Sequence, residues 1–267
     1  MVELCTAHTR SGTLAYRRAG EGRPLILLHG LFTSGRTYDE LIRLAPAGVD
    51  CVALDLPPAG SSRPAPGFVS SWSSLAGAVI ELADALELER FDLCGHSMGG
   101  GIAILAAARI PLRVRRLVLV DAVGFPFSVP LKGRLPLLPG VGRLAFALYG
   151  EKMFFDYFAR DVFFRKEEMD EEKVREHYRI FDRRRGEALD CLRATADPRP
   201  VAARVPEVRS PALALWGAHD RLVPISVGRK LEKELADCRL AVIPSAGHSP
   251  LEEEPERSAA AIFDFLS

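Results

Sequence analysis

Four short runs in the first half of the chain are apolar with little alternation, and each stops at a small or polar residue. Residues 25–28 (Leu-Ile-Leu-Leu) end at His29-Gly30, residues 50–54 at Asp55, residues 91–94 at Gly95 and residues 117–120 at Asp121. Runs that are apolar toward both sides predict strands buried on both faces, as in a parallel sheet covered by helices. Ahead of them, alternating positions around Ser11-Gly12 predict a hairpin of half-exposed strands. Between the runs, helical periodicity occupies residues 74–88 and an alanine-rich 99–109. The alternation resumes late, with strands predicted over 212–216 and 240–243 and helices over 225–235 and 256–266. The expected class is therefore α/β, a doubly wound and mostly parallel sheet.

Residues 124–204 break this rhythm. They hold no strand-like run and are rich in Phe, Arg and helix formers. We read 1–123 and 205–267 as the core and 124–204 as a helical cap inserted over the carboxyl edge of the sheet. Pro126, Pro130, Pro136 and Pro139 forbid a long helix over 125–140. Helices are predicted after it, over 141–148, 152–163 and 170–195. The aromatic group Phe154, Phe155, Tyr157, Phe158, Phe163 and Phe164 is read as cap core.

Composition narrows the function. The 267 residues are 48% hydrophobic and 26% charged, with 35 basic and 35 acidic side chains, so charge gives no sign of nucleic-acid binding. Cys5, Cys51, Cys94, Cys191 and Cys238 are odd in number and form no CxxC pair, which argues against a disulfide framework and a zinc site. No cofactor and no metal are expected. The polar amino terminus lacks the apolar stretch of a signal peptide and no segment is long enough to span a bilayer, so the expected location is cytoplasmic. Oligomeric state is not legible.

The most informative segment is Gly95-His96-Ser97-Met98-Gly99, a GxSxG between a predicted buried strand and a predicted helix. In that context the turn is so tight that it strains the serine and projects its hydroxyl beyond the sheet edge. A serine needs a base and an orienting acid. His248 follows one late strand and Asp220 follows the strand before it, so both open on the edge that carries Ser97. Asp121 also ends a strand and is the rival acid. For the oxyanion of a tetrahedral intermediate, the N–H groups of Met98 and of Leu31 are the candidate donors. His29 and His96 adjoin motif glycines and are read as loop-shaping. GHSMGGG has neither GxGxxG spacing nor the lysine of a phosphate loop.

Five segments in order, LLHGLF (27–32), DLPPAGSSRP (55–64), GHSMGG (95–100), WGAHDRLVP (216–224) and AGHSPLEEEPE (246–256), make the chain resemble the α/β-hydrolase superfamily, nearest its cap-bearing esterase and lipase-like branch. The order Ser, Asp, His along the chain suits that resemblance. It departs at Pro58-Ala59, where relatives usually carry Gly-His or Gly-Phe. The resemblance implies a Ser97, His248, Asp220 triad. The leading expectation is hydrolysis of a small-molecule ester of an apolar acyl or aryl group through an acyl-enzyme, with Phe32, Phe125 and Val223 as pocket walls. The alternatives are C–C hydrolysis of ring-fission products, against which stand His96 before the serine and Ser249 after the histidine, and a non-catalytic ligand binder.

Overall fold

The computed structural model describes residues 2–129, 131–138 and 140–267. Among the described residues nine strands form one sheet: β1 (Glu3–Thr9), β2 (Gly12–Ala19), β3 (Arg23–Leu28), β4 (Val49–Leu54), β5 (Arg63–Pro64), β6 (Phe91–His96), β7 (Val114–Val120), β8 (Ala212–Gly217) and β9 (Cys238–Ile243). The spatial order is β1-β2-β4-β3-β6-β7-β8-β9, with the two-residue β5 beside β2. From β4 to β9 every pairing is parallel, whereas β2 pairs antiparallel with β1, β4 and β5.

The unbroken apolar runs are explained by this stacking. Strands β4, β6 and β8 are buried along their whole length. Alternate side chains feed two separate cores, so that Ile26 and Leu28 of β3 pack on one face while Leu25 and Leu27 pack on the other. Helices Trp72–Ala85, Met98–Arg109 and Ile225–Glu234 cover the first face, and Asp39–Arg43 and Pro255–Leu266 cover the second. Strand β9 is at the sheet edge and is only partly buried.

Between β7 and β8 the described residues form helices and no strand, including Val141–Leu148, Glu151–Tyr157, Glu171–Arg183 and Arg185–Thr195. This inserted helical region has its own small core, where Phe154 stacks on Phe158 at 4.9 Å between ring centroids and meets Phe181 at 5.4 Å. Two predicted helices are broken. The one expected over 152–163 gives way after Tyr157 to a wider π turn, Phe158–Val162. The one expected over 170–195 divides at Arg184, whose guanidinium donates to the carbonyls of Pro58 and Ser62 at 2.8 and 3.0 Å. That tie to the core outweighs the helix propensity of the segment. Pro126 and Pro136 lie in the irregular stretch expected there, broken only by the short turns Leu131–Arg134 and Leu135–Leu137; Pro130 and Pro139 lie outside the described residues.

Candidate active site

Ser97 stands between β6 and the helix Met98–Arg109 with φ 55° and ψ −118°, a left-handed conformation rare for a residue with a side chain. Its neighbours explain the motif glycines. A Cβ on Gly95 would fall 2.3 Å from the Gly99 carbonyl oxygen, and one on Gly99 would fall 2.2 Å from that of Leu28. Only glycine lets the turn close, and the Ser97 N–H then donates to the Val120 carbonyl at 2.9 Å.

The structure brings Ser97, His248 and Asp220 together. His248 Nδ1 lies 2.7 Å from Asp220 Oδ2, and Nε2 lies 2.9 Å from Ser97 Oγ. Because the carboxylate can only accept, Nδ1 carries the proton and Nε2 is left to accept from the Ser97 hydroxyl. Asp220 Oδ1 accepts the N–H groups of Leu222 at 2.7 Å and Val223 at 3.0 Å, which fixes the carboxylate plane. Asp121, the rival acid, is fully buried and instead accepts the Gly217 N–H at 2.9 Å. Burial, and then the Asp220 charge, raise its pKa well above the usual carboxylate range.

His96 and His29 serve the frame. His96 Nε2 donates to the His248 carbonyl at 2.7 Å, and burial, followed by the nearby His248, lowers its pKa to about 4. His29 Nε2 accepts the Leu56 N–H at 2.9 Å, so Nδ1 carries the proton toward the Gly30 carbonyl, and burial lowers its pKa as well. His219 stacks on Phe164 with centroids 3.7 Å apart.

Sequence reasoning missed Glu253. This buried carboxylate accepts the Gly247 N–H at 2.7 Å through Oε1, and the N–H groups of Phe164 at 2.7 Å and Arg165 at 3.3 Å through Oε2. The Val162 carbonyl accepts the His248 N–H at 2.8 Å. The inserted region and the histidine loop are thus tied at two points. A carboxylate five residues past the histidine was the only signal, and nothing local distinguished it from its neighbours Glu252 and Glu254.

A cavity of about 240 Å³ opens on Ser97 and His248. Its walls are mainly apolar, from Trp72, Phe127, Val129, Tyr157, Leu192 and Val223 among others. Leu31 and Met98 also face it, and among the described residues their amides donate to no protein acceptor. The other two expected wall residues do not line it. Phe32 turns into the aromatic cluster of the inserted region, edge-on to Phe181 at 5.5 Å, and Phe125 packs in the main core under the Lys230 ammonium, 4.2 Å from the ring centroid. Both are large apolar side chains for which burial in a core is worth more than lining a partly wet cavity.

His96, Asp121 and His248 offer ligand atoms within 4.8 Å of one another. The His248 nitrogens already serve Ser97 and Asp220, so an ion would have to break that chain of hydrogen bonds. Among the described residues, no helix is long and apolar enough to cross a membrane.

The fold and this cluster are those of a catalytic hydrolase. A profile of the Alpha/beta hydrolase family matches residues 25–261, and the chain belongs to that family. It is 29% identical to the uncharacterized hydrolase YugF of Bacillus subtilis, over 94% of this chain and 92% of that one. It is 31% identical to the 2-hydroxy-6-oxononadienedioate/2-hydroxy-6-oxononatrienedioate hydrolase of Paraburkholderia phymatum, over 94% and 90%. Among solved structures, wild-type Cfl2 of Burkholderia cenocepacia superposes with a TM-score of 0.87 at 23% identity, covering 100% of this chain and 96% of that one.

Proposed function

We propose that the protein is a serine hydrolase cleaving a bond at the carbonyl carbon of a small apolar substrate. The carrying observation is the hydrogen-bond series Ser97–His248–Asp220 facing an apolar cavity. Ser97 Oγ attacks the carbonyl while His248 Nε2 takes its proton, and Asp220 stabilises the imidazolium. The oxyanion rests on the Leu31 and Met98 amides. His248 then returns the proton to the leaving atom, and water releases the acyl group. Residues 124–204 act as the cap that walls the site.

Relatives favour a carbon leaving atom over the ester oxygen expected from sequence. The compounds in the Paraburkholderia hydrolase's name contain a 6-oxo group and no ester, so their hydrolysis must break the C–C bond beside the ketone. The ester reading keeps one specific observation. Among the described residues the cavity wall includes no Arg or Lys to receive an anionic dienoate, and the Glu252 that faces it is already paired with Lys173 at 2.9 Å. The test is kcat/KM for a 2-hydroxy-6-oxo-dienoate beside p-nitrophenyl esters of rising chain length, for wild type and Ser97→Ala. A dienoate preference supports C–C hydrolysis, an ester preference the second reading, and undiminished turnover by Ser97→Ala refutes both.

A further inference from the structure

Asp121 and Asp220 are neighbouring carboxyl groups at the His248 imidazole, Asp220 Oδ2 lying 2.7 Å from Nδ1 and an Asp121 oxygen within 4.8 Å of a ring nitrogen, and both side chains are fully shielded from water. Two carboxylates so close and so dry cannot both be ionised. Counting donors decides which one holds the charge. Asp220 receives three, the Leu222 and Val223 amides and His248 Nδ1–H, whereas Asp121 receives one, the Gly217 amide on Oδ1. Asp121 Oδ2 has no N–H or O–H partner among the described residues.

We infer that Asp121 is a neutral carboxylic acid whose Oδ2–H donates to the Asp220 carboxylate, making it a positioning residue for the His248 base. The inference rests on the triad reading above. The titratable groups that face Asp121 agree with it. They are Asp220 in the loop after β8, His248 after β9, His96 at the end of β6 and Glu253 in the helix Pro250–Glu253. None is a fixed cation, and Asp220 and Glu253 both oppose ionisation of Asp121. The Gly217 bond holds one carboxyl oxygen at the end of β8, and the other is left to orient Asp220 toward the imidazole.

The test compares Asp121→Asn and Asp121→Ala in the full chain. Asparagine is uncharged, keeps an acceptor for Gly217 and supplies an N–H to Asp220. A neutral Asp121 therefore predicts that Asp121→Asn leaves the midpoint of the His248 imidazole titration unchanged by NMR, and leaves the pH profile of kcat/KM in place. Loss of an ionised carboxylate within 4.8 Å would instead lower that midpoint by about 1–3 pH units and overturn the inference. Asp121→Ala should lower kcat by about tenfold, a hydrogen bond to a charged group, with Asn restoring it. Equal loss in both variants also overturns it. Should Asp121→Ala fail to fold, the Asn titration decides alone. That titration reads the imidazole whether or not substrate turns over, so its failure is separable from that of the hydrolase reading, which the Ser97→Ala turnover tests.

Discussion

Replacing Glu253 by alanine should loosen the active site from behind without touching a reacting atom. The carboxylate is 5% exposed, so the amides it serves have no bulk water to turn to. Its loss leaves the Gly247 and Phe164 N–H groups, both held at 2.7 Å, without acceptors, and weakens the longer Arg165 contact. An unsatisfied buried donor costs about 1–3 kcal/mol, so the two strong bonds together make the loss roughly 2–4 kcal/mol once partial relaxation is allowed. Gly247 adjoins His248, and Phe164 lies two residues from the Val162 carbonyl that anchors the His248 amide. The imidazole should therefore wander, and misplacement on the order of 1 Å can lower kcat up to about 100-fold. Glu253→Gln keeps one acceptor oxygen and presents an NH₂ to the other amides, so its loss should be intermediate. Urea unfolding followed by the fluorescence of Trp72 and Trp216 measures the first effect, and kcat on the preferred substrate measures the second. An alanine variant with an unshifted urea midpoint and wild-type kcat would refute the latch.

Three further outcomes follow from buried groups. His177 and His96 have pKa values lowered to about 4, first by burial, against about 6.5 when unfolded. The unfolded chain binds the extra protons, so stability is complete above pH 6.5 and falls as pH drops toward 4, by about 3 kcal/mol per histidine at the end of that window. His177 is stacked near Phe158 with neither ring nitrogen hydrogen-bonded among the described residues, so His177→Phe should be tolerated at pH 7.5 and should lose about 2 kcal/mol less than wild type on going to pH 5; equal losses in urea midpoints would contradict this. Gly99→Ala would press a methyl against the Leu28 and His29 carbonyl oxygens, at 2.2 and 2.6 Å, and should cost about 1–3 kcal/mol or more together with most activity; an unchanged unfolding midpoint would contradict it.

What could be read in advance follows from how local the cause is. Strands buried on two faces write continuous apolar runs, and the GxSxG turn excludes a side chain at Gly95 by contact with Gly99, only four residues on, so the sheet and Ser97 were both legible. The loops of Asp220 and His248 were legible because a parallel sheet places every strand's carboxyl end on one edge. The cavity wall was not. Phe32 and Phe125 resemble wall residues in composition, and only their packing partners, Phe181 and Lys230, place them elsewhere. The break at Arg184 depends on carbonyls more than 120 residues distant, and no periodicity reports it. Glu253 is equally silent, because two of its three amide partners, Phe164 and Arg165, lie on the inserted region. Asp121 was legible as a strand-end acid, but its proton is decided by the donors that Asp220 gathers.

A Ser97 made nucleophilic by His248 should react with an electrophile that traps serine hydrolases. Intact-protein and peptide mass spectrometry after timed exposure to a small alkyl fluorophosphonate measures that reaction. One adduct is expected, on Ser97, formed in wild type at least about 100-fold faster than in His248→Asn and absent from Ser97→Ala. Equal labelling rates in wild type and His248→Asn, or an adduct that persists in Ser97→Ala, would contradict it.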